Sequence, residues 1–373
     1  MATADTILPG DPAPHFRQRC CGNPKFVFDV CAGPYSVLCF FGTASDGPGR
    51  SAVDAALANR RIFDDKFASF YGVTLDRSDE TQGRVADSFP GHRIFWDFDG
   101  SVSKLYGMIP REQDPASGRV QVRRRWVIID PTLRVMNVIP FVADGSDAQT
   151  VMSYLQSLPP PAQFVGFELQ APVLMLPNVF EAGLCRKLIS LYEENGGEES
   201  GFMREVDGKT VAAFDHVHKR RKDYIVEQPD IVKAIQQRVE RRIVPEILKV
   251  HQFKVTRMER YIVACYSAED GGHFRSHRDN TTKGTMHRRF AVSVNLNAEF
   301  EGGELNFPEY GPRTFKPAPG AAVVFSCSLL HAVTKVTKGQ RYVFLPFLYD
   351  DAAAKIREAN NAYLGEGVVS YKT

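Results

Sequence analysis

The chain lacks most features that would assign a function class at once. It has no C-x-x-C pair, only seven cysteines and only two tryptophans among 373 residues. No apolar run approaches the length needed to cross a bilayer. Lys and Arg number 46 against 44 Asp and Glu, so the net charge of +2 gives no reason to expect a polyanion partner. The opening MATADTILPGD has neither a charged n-region nor an apolar h-region, so no secretory signal is read there. The cysteines (Cys20, Cys21, Cys31, Cys39, Cys185, Cys265, Cys327) are odd in number and sit mostly in apolar contexts. Reduced thiols in a cytoplasmic protein are the simplest reading. Apolar substance is plentiful, with 43% hydrophobic and 11% aromatic residues, enough for ordinary globular cores.

The length suits two domains. Pro159-Pro160-Pro161 ends a helical pattern and starts a stiff linker over 159–164. That separates 1–158 from 165–352 and leaves 353–373 as a C-terminal tail. In the first part, strand and helix patterns alternate, which predicts an α/β domain. Ser36 to Phe41 is a continuous apolar run suited to a buried parallel strand. Residues 51–70 read as a helix through Ala52, Ala55, Ala56, Ile62, Phe63, Phe67 and Phe70. Tyr71 to Leu75, Trp126 to Asp130 and Val135 to Phe141 supply further strands.

The second part carries its chemistry in His277-Arg278-Asp279, His331 and Arg341. Two histidines and one carboxylate form the facial set that holds non-haem Fe(II) with three positions open. His277 and Asp279 are two apart, so on a strand both point to one face. Arg341 offers a permanent charge that can grip a carboxylate by two parallel hydrogen bonds. The surroundings are strand-like. Tyr261 to Tyr266 alternates, Asp270-Gly271-Gly272 turns, and Phe290, Val292, Val294 and Leu296 share a face opposite Ala291, Ser293 and Asn295.

Residues 260–350 resemble the catalytic core of prolyl 4-hydroxylase-type 2-oxoglutarate oxygenases. The matching pieces are YIVACY, HRDN, VNLN, EGGELNFPEYG, PAPGAAVVF, LLHAVTKVTKGQRY and FLPFLYD. Segment 165–259 is similar to that family's preceding helical region. The resemblance implies a double-stranded β-helix (jelly roll) with buttressing helices. It makes His277, Asp279 and His331 the iron ligands and Arg341 the binder of the distal carboxylate of 2-oxoglutarate. Tyr266 and Asn295 become further co-substrate contacts, although relatives often carry tyrosine where this chain has Asn295. The reaction implied consumes 2-oxoglutarate and O₂ and hydroxylates a C–H bond, giving succinate and CO₂, with ascorbate as an accessory. A peptidyl or protein side chain, prolyl by resemblance, is the leading substrate class. A free amino acid or small metabolite is the alternative, as is a thiol-redox or oxygen-sensing protein in which the oxygenase fold only binds.

Residues 8–158 are similar to peroxiredoxins of the thioredoxin fold, through LPGDPAPHF, SVLCFFGTAS, FWDFDGSVSKLYGM and RRRWVIIDPTLRVMNV. The resemblance stops at the chemistry. Peroxiredoxins have T-x-x-C after the first buried strand, and here Thr43-Ala44-Ser45 is followed by Asp46. A carboxylate cannot attack peroxide as a thiolate does. The domain is therefore expected to be non-catalytic, and a homodimer through residues 1–158 is a further expectation.

Other features are open at this stage. His273, Arg275, Arg278 and His287 either line the substrate mouth or sit in exposed loops. Lys219-Arg220-Arg221-Lys222 reads as a solvated loop or strand edge, because no aromatic-interleaved basic stripe supports nucleic-acid binding. His216 and His218 read as surface residues. Asn178 and Glu181 suit the start of a helix to about Glu194, and Ile231 to Leu248 a second helix interrupted near Pro245.

Overall fold

The apolar run at 36–41 lies at the centre of a sheet. In a computed structural model that describes residues 6–115, 118, 120–368, 370 and 371, it becomes strand Tyr35–Gly42, buried along its whole length. Residues 1–5, 116, 117, 119, 369, 372 and 373 lie outside the described residues. Two compact units emerge, one of 1–170 with 308–311 and one of 171–307 with 312–373.

In the first unit, Tyr35–Gly42 pairs parallel with Ala68–Thr74, which pairs parallel with His92–Trp96. Arg125–Ile129 lies antiparallel on the other side and Val135–Pro140 follows it. The hairpin Arg17–Cys20 and Asn23–Val27 completes seven strands. Burial of both faces explains why the central strands read as unbroken hydrophobics instead of an alternation. Helices Gly47–Ala58 and Ser146–Ser157 bring Ala52, Val53, Ala56, Val151, Met152 and Leu155 to the core under the sheet.

One expectation needs correction here. The helix foreseen over 51–70 ends at Ala58, where the Asn59 amide turns back to the Ala56 carbonyl, and the Asp64 carboxylate then accepts from the amides of Lys66 and Phe67 in a turn before the next strand. Phe70 therefore enters the core from a strand. Strand His92–Trp96 and the first hairpin were not foreseen. Within the stiff linker expected over 159–164, Tyr35 donates its hydroxyl to the Pro159 carbonyl at 2.9 Å, and Leu158 and Phe164 pack on this core.

The second unit is a double-stranded β-helix. Its larger sheet runs through Arg257–Glu259, Phe347–Tyr349, Phe290–Asn295, Lys338–Phe344, Ile262–Ser267, Lys222–Ile225 and Glu198–Glu199, with Phe300–Glu301, Ala322–Ser326 and Leu174–Leu176 attached. The smaller sheet holds Lys219–Arg220, His273–His277, His331–Val333, Leu305–Asn306 and Thr314–Phe315. Helices Ala182–Asn195, Pro229–Arg242 and Val244–His251 cover one face of the larger sheet. Leu184, Leu188, Ile235 and Val239 there meet Val263, Cys265, Val292, Val294 and Phe344. Side chains alternate along a strand, so the residues between these apolar ones turn toward the other face, inside the β-helix. That inward set includes Asp223, Tyr266, Ser293, Asn295 and Arg341.

Glu181 is the residue before the first of these helices, but its carboxylate does not cap it. It pairs with Arg238 at 2.9 Å and Arg242 at 2.6 Å on the next helix instead. The break near Pro245 falls at Ile243, between two separate helices. Gly320 closes the PAPG turn with φ +79° and donates its amide to the Asn295 carbonyl at 2.7 Å. A Cβ there would lie 2.1 Å from the Phe180 carbonyl oxygen, so only glycine fits. Among the described residues, no helix is long and apolar enough to cross a membrane.

Candidate metal and co-substrate site

His277 ends strand His273–His277, and its register partner across the smaller sheet is His331 at the start of His331–Val333. Asp279 follows two residues later, its amide fixed to the Cys327 carbonyl at 2.9 Å. His277 Nε2 lies 3.6 Å from one Asp279 oxygen and His331 Nε2 3.4 Å from the other. One ligand atom from each of the three residues falls within 4.8 Å of the others. Each histidine has Nδ1 against a backbone carbonyl, Arg275 at 2.8 Å and Leu329 at 3.1 Å. A carbonyl only accepts, so Nδ1 carries the proton and the Nε2 lone pair points inward.

Charge in the site suits a cation. Burial, with His331 beside it, pushes His277 down to about 4, so the imidazole is neutral at pH 7. Burial alone would raise Asp279, yet His331 and His277 hold its carboxyl well below the usual range. Phe274 stacks on the His277 ring at 3.5 Å between centroids and fixes its plane. Two imidazoles and one carboxylate are the donor set that suits Fe(II) with open positions, so the residues present fit a ferrous ion.

Arg341 lies on the neighbouring sheet, 2% exposed. Its Nη2 donates to Ser293 Oγ at 3.0 Å and to Asn295 Oδ1 at 3.0 Å, and its Nε to the same Asn295 oxygen at 3.2 Å. Asn295 in turn donates to the Pro317 carbonyl at 2.9 Å. Its amide oxygen thus aims the arginine. Burial lowers Arg341 to about 10, still a cation at pH 7. Tyr266 is the direct ladder partner of Arg341, with the guanidinium carbon 5.6 Å from its ring centroid.

The four residues considered for a substrate mouth fare differently. Arg275 is exposed. Arg278 reaches the Ser328 carbonyl. His273 is bound at both nitrogens, to the carbonyls of Gly271 at 2.8 Å and Val217 at 3.1 Å, so its ring holds a turn. His287 is 1% exposed and faces Glu259 at 3.2 Å, so it lines no open mouth.

Sequence reasoning missed two buried cations in the run expected to be solvated. Lys219 and Arg221 are 5% and 8% exposed. Lys219 donates to Ser200 Oγ at 2.7 Å and the Gly201 carbonyl at 2.6 Å, and its ammonium sits 5.0 Å from the Phe274 ring. Burial, reinforced by Arg221, lowers its pKa well below the usual lysine range. The available signal was the i, i+2 spacing of Arg221 and Asp223, which puts a countercharge on the same strand face. His218, read as a surface residue, has its ring 6.5 Å from that of His277.

In the first unit, Asp46 heads helix Gly47–Ala58, accepting from the Gly49 amide at 2.9 Å, and Arg124 pairs with it at 3.0 and 2.5 Å. All seven thiols are shifted upward, burial being the largest cause, with Cys20 pushed up to about 11 and Cys31 to about 12. None has the depressed pKa of a reactive thiolate.

Residues 259–349 match the family described as the 2OG-Fe(II) oxygenase superfamily. A PKHD-type hydroxylase of Cupriavidus metallidurans is 39% identical over 84 residues, which is 20% of this chain and 37% of that relative. The chain spans 37–39% of the length of the curated relatives it matches first. Among solved structures, the chain is similar to a Trichoplax adhaerens prolyl hydroxylase in complex with a hypoxia inducible factor peptide fragment. That likeness has 16% identity and a TM-score of 0.40, over 50% of this chain and 85% of the other. Peroxidoxin BcpB of Mycobacterium tuberculosis gives 18% identity and a TM-score of 0.35, over 41% of this chain and 99% of the other. The C-terminal unit, with its His-Asp-His set on a double-stranded β-helix, carries a 2OG-Fe(II) oxygenase domain.

Proposed function

We propose that the protein is an Fe(II)- and 2-oxoglutarate-dependent hydroxylase acting on a peptidyl or protein side chain, prolyl by resemblance, with ascorbate as an accessory reductant and a cytoplasmic setting. The observation that carries this reading is the convergence of His277 Nε2, His331 Nε2 and the Asp279 carboxylate, each already oriented by its own backbone or ring contact.

These three side chains would hold Fe(II). Bound there, the metal supplies the O₂ chemistry that couples conversion of 2-oxoglutarate to succinate and CO₂ with insertion of one oxygen atom into a substrate C–H bond. The protein does the rest. Arg341, aimed by Ser293 and Asn295, grips the far carboxylate of the co-substrate and sets its distance from the triad. Phe274, Phe307 and Phe325 ring the histidines with apolar surface and exclude water. Phe214 and Val217, both about three-fifths exposed just before His218, offer apolar contact to a peptide beside the site.

Succinate formation from 2-oxoglutarate under Fe(II), O₂ and ascorbate tests the reading, with His277→Ala as control. Turnover lost in the variant supports it. If the wild-type chain binds neither Fe(II) nor 2-oxoglutarate, the reading is wrong.

A further inference from the structure

Tyr266 has a second guanidinium beside it. Arg221 places its guanidinium carbon 5.7 Å from the Tyr266 ring centroid, almost the same distance as Arg341 on the adjoining strand. Arg221 Nη1 also donates to the Tyr266 hydroxyl oxygen, at 3.4 Å. A guanidinium has no acceptor, so this contact occupies a lone pair of the phenol and leaves its proton undirected. Among the described residues, none accepts that proton. Tyr266 is 1% exposed, so bulk water cannot serve it. A buried donor without an acceptor is costly, and an arriving anion would relieve it.

Arg221 itself is rigidly held. Its Nε donates to one Asp223 oxygen at 2.7 Å and its Nη2 to the other at 2.6 Å, a fork-to-fork pair. Asp223 accepts as well from Ser200 Oγ at 2.5 Å and Arg260 at 3.3 Å, and Lys219 closes the chain onto Ser200. Arg221, Arg260 and Lys219 thus gather around Asp223, while Arg221 shares the Tyr266 ring with Arg341. Two guanidiniums beside one phenol suit a ligand that brings a carboxylate to it.

We propose that Arg221 is a positioning residue for the co-substrate: clamped by Asp223, it fixes Tyr266 as a hydrogen-bond donor to a 2-oxoglutarate carboxylate and makes the pocket select a dicarboxylate. This rests on the oxygenase reading above. The residue touches the tyrosine and acts through it, as Asn295 acts through Arg341.

The test is anaerobic titration of the Fe(II)-loaded full chain with 2-oxoglutarate, following the visible charge-transfer absorption of the keto-acid chelate. 2-Oxopentanoate, of equal length but without the distal carboxylate, is the second probe. Arg221→Met should weaken 2-oxoglutarate binding about tenfold or more, the loss typical of a charge-assisted contact. It should leave Fe(II) binding and the weaker 2-oxopentanoate binding unchanged. Arg221→Lys should restore part of the loss. Arg221→Met combined with Tyr266→Phe should be no weaker than Tyr266→Phe alone, because the two residues act as one unit. Unchanged 2-oxoglutarate binding in Arg221→Met overturns the proposal, and so does an equal loss for both keto acids. If Arg221→Met fails to fold, Arg221→Lys decides alone: a loss confined to 2-oxoglutarate supports the role, and an equal or absent loss overturns it. A wild-type chain that binds Fe(II) but neither keto acid overturns the oxygenase reading itself, a different result from any of these.

Discussion

Arg124 closes on Asp46 with both arms of its guanidinium, at the position where a redoxin would carry its reactive sulfur. The start of helix Gly47–Ala58 adds the Gly49 amide to the same carboxylate. Burial raises the Asp46 pKa, but Arg124 and that amide outweigh it and hold the carboxyl below its usual value. These contacts hold Asp46 as an anion at the start of the helix.

Asp46→Cys should therefore yield an activated thiol. The same guanidinium and helix start would stabilise the thiolate, bringing its pKa to about 7 or below. The rate of iodoacetamide alkylation against pH measures it, with Arg124→Gln returning the thiol toward ordinary behaviour. A pKa at or above about 8.5 in Asp46→Cys alone would refute the argument.

Asn295→Ala should disable co-substrate binding without touching the metal. It removes the oxygen that receives two Arg341 donors and leaves a buried guanidinium poorly held. The KM for 2-oxoglutarate should rise about ten- to a hundredfold, with Fe(II) affinity unchanged. Steady-state kinetics beside a metal titration would show the split.

Asp223 ties stability to acid pH. Burial would raise its pKa, but Arg221 and Arg260 draw it down from 3.8 to about 2. A depressed carboxylate stabilises the fold above its unfolded pKa, and the benefit fades as pH falls from about 4 toward 2. That contribution is about 2 kcal/mol. Asp223→Asn should cost about 3–5 kcal/mol at neutral pH by leaving Arg221 without its countercharge. It should also flatten the loss of stability between pH 4 and 2 in denaturant melts.

Cys21 should be the thiol that reagents reach. It is exposed, whereas Cys20, Cys39, Cys185, Cys265 and Cys327 are buried and the Cys31 thiol is enclosed beside Tyr71. Titration of the native chain with a thiol reagent should give one fast equivalent, and denaturant should release all seven. Several fast equivalents without denaturant would mean the buried thiols are open.

Gly320→Ala should cost about 3 kcal/mol or more, since it forces a left-handed φ and a Cβ onto the Phe180 carbonyl. A thermal melt of the purified variant would read it.

The triad's members were legible from H-x-D and a distal histidine, but the strand ends at His277 and Asp279 stands in the turn that follows, so period two along a strand is not what joins them. Arg341 was legible because a buried arginine on an apolar strand needs an anion. The central strands of the first unit showed as runs of hydrophobics. His92–Trp96 did not, because His92, Arg93 and a flanking Pro-Gly pair break its pattern; only pairing with Asp65 and Asp87 settles it. The Lys219–Lys222 run misled for a related reason. Four adjacent basic residues resemble a solvated surface, and whether any is buried depends on Ser200 and Asp223, whose approach no local pattern reports. Asn295 was singled out from its strand position, but no local pattern reports that its amide oxygen receives Arg341.

The metal ligands belong to the smaller sheet and its following turn, while Arg341, Tyr266 and Asn295 belong to the larger one. On the proposed reading, iron affinity and co-substrate choice therefore rest on separate backbones. Selection, natural or in the laboratory, would then retune which acid is accepted by editing three neighbouring strands, with the His-Asp-His set carried along unaltered.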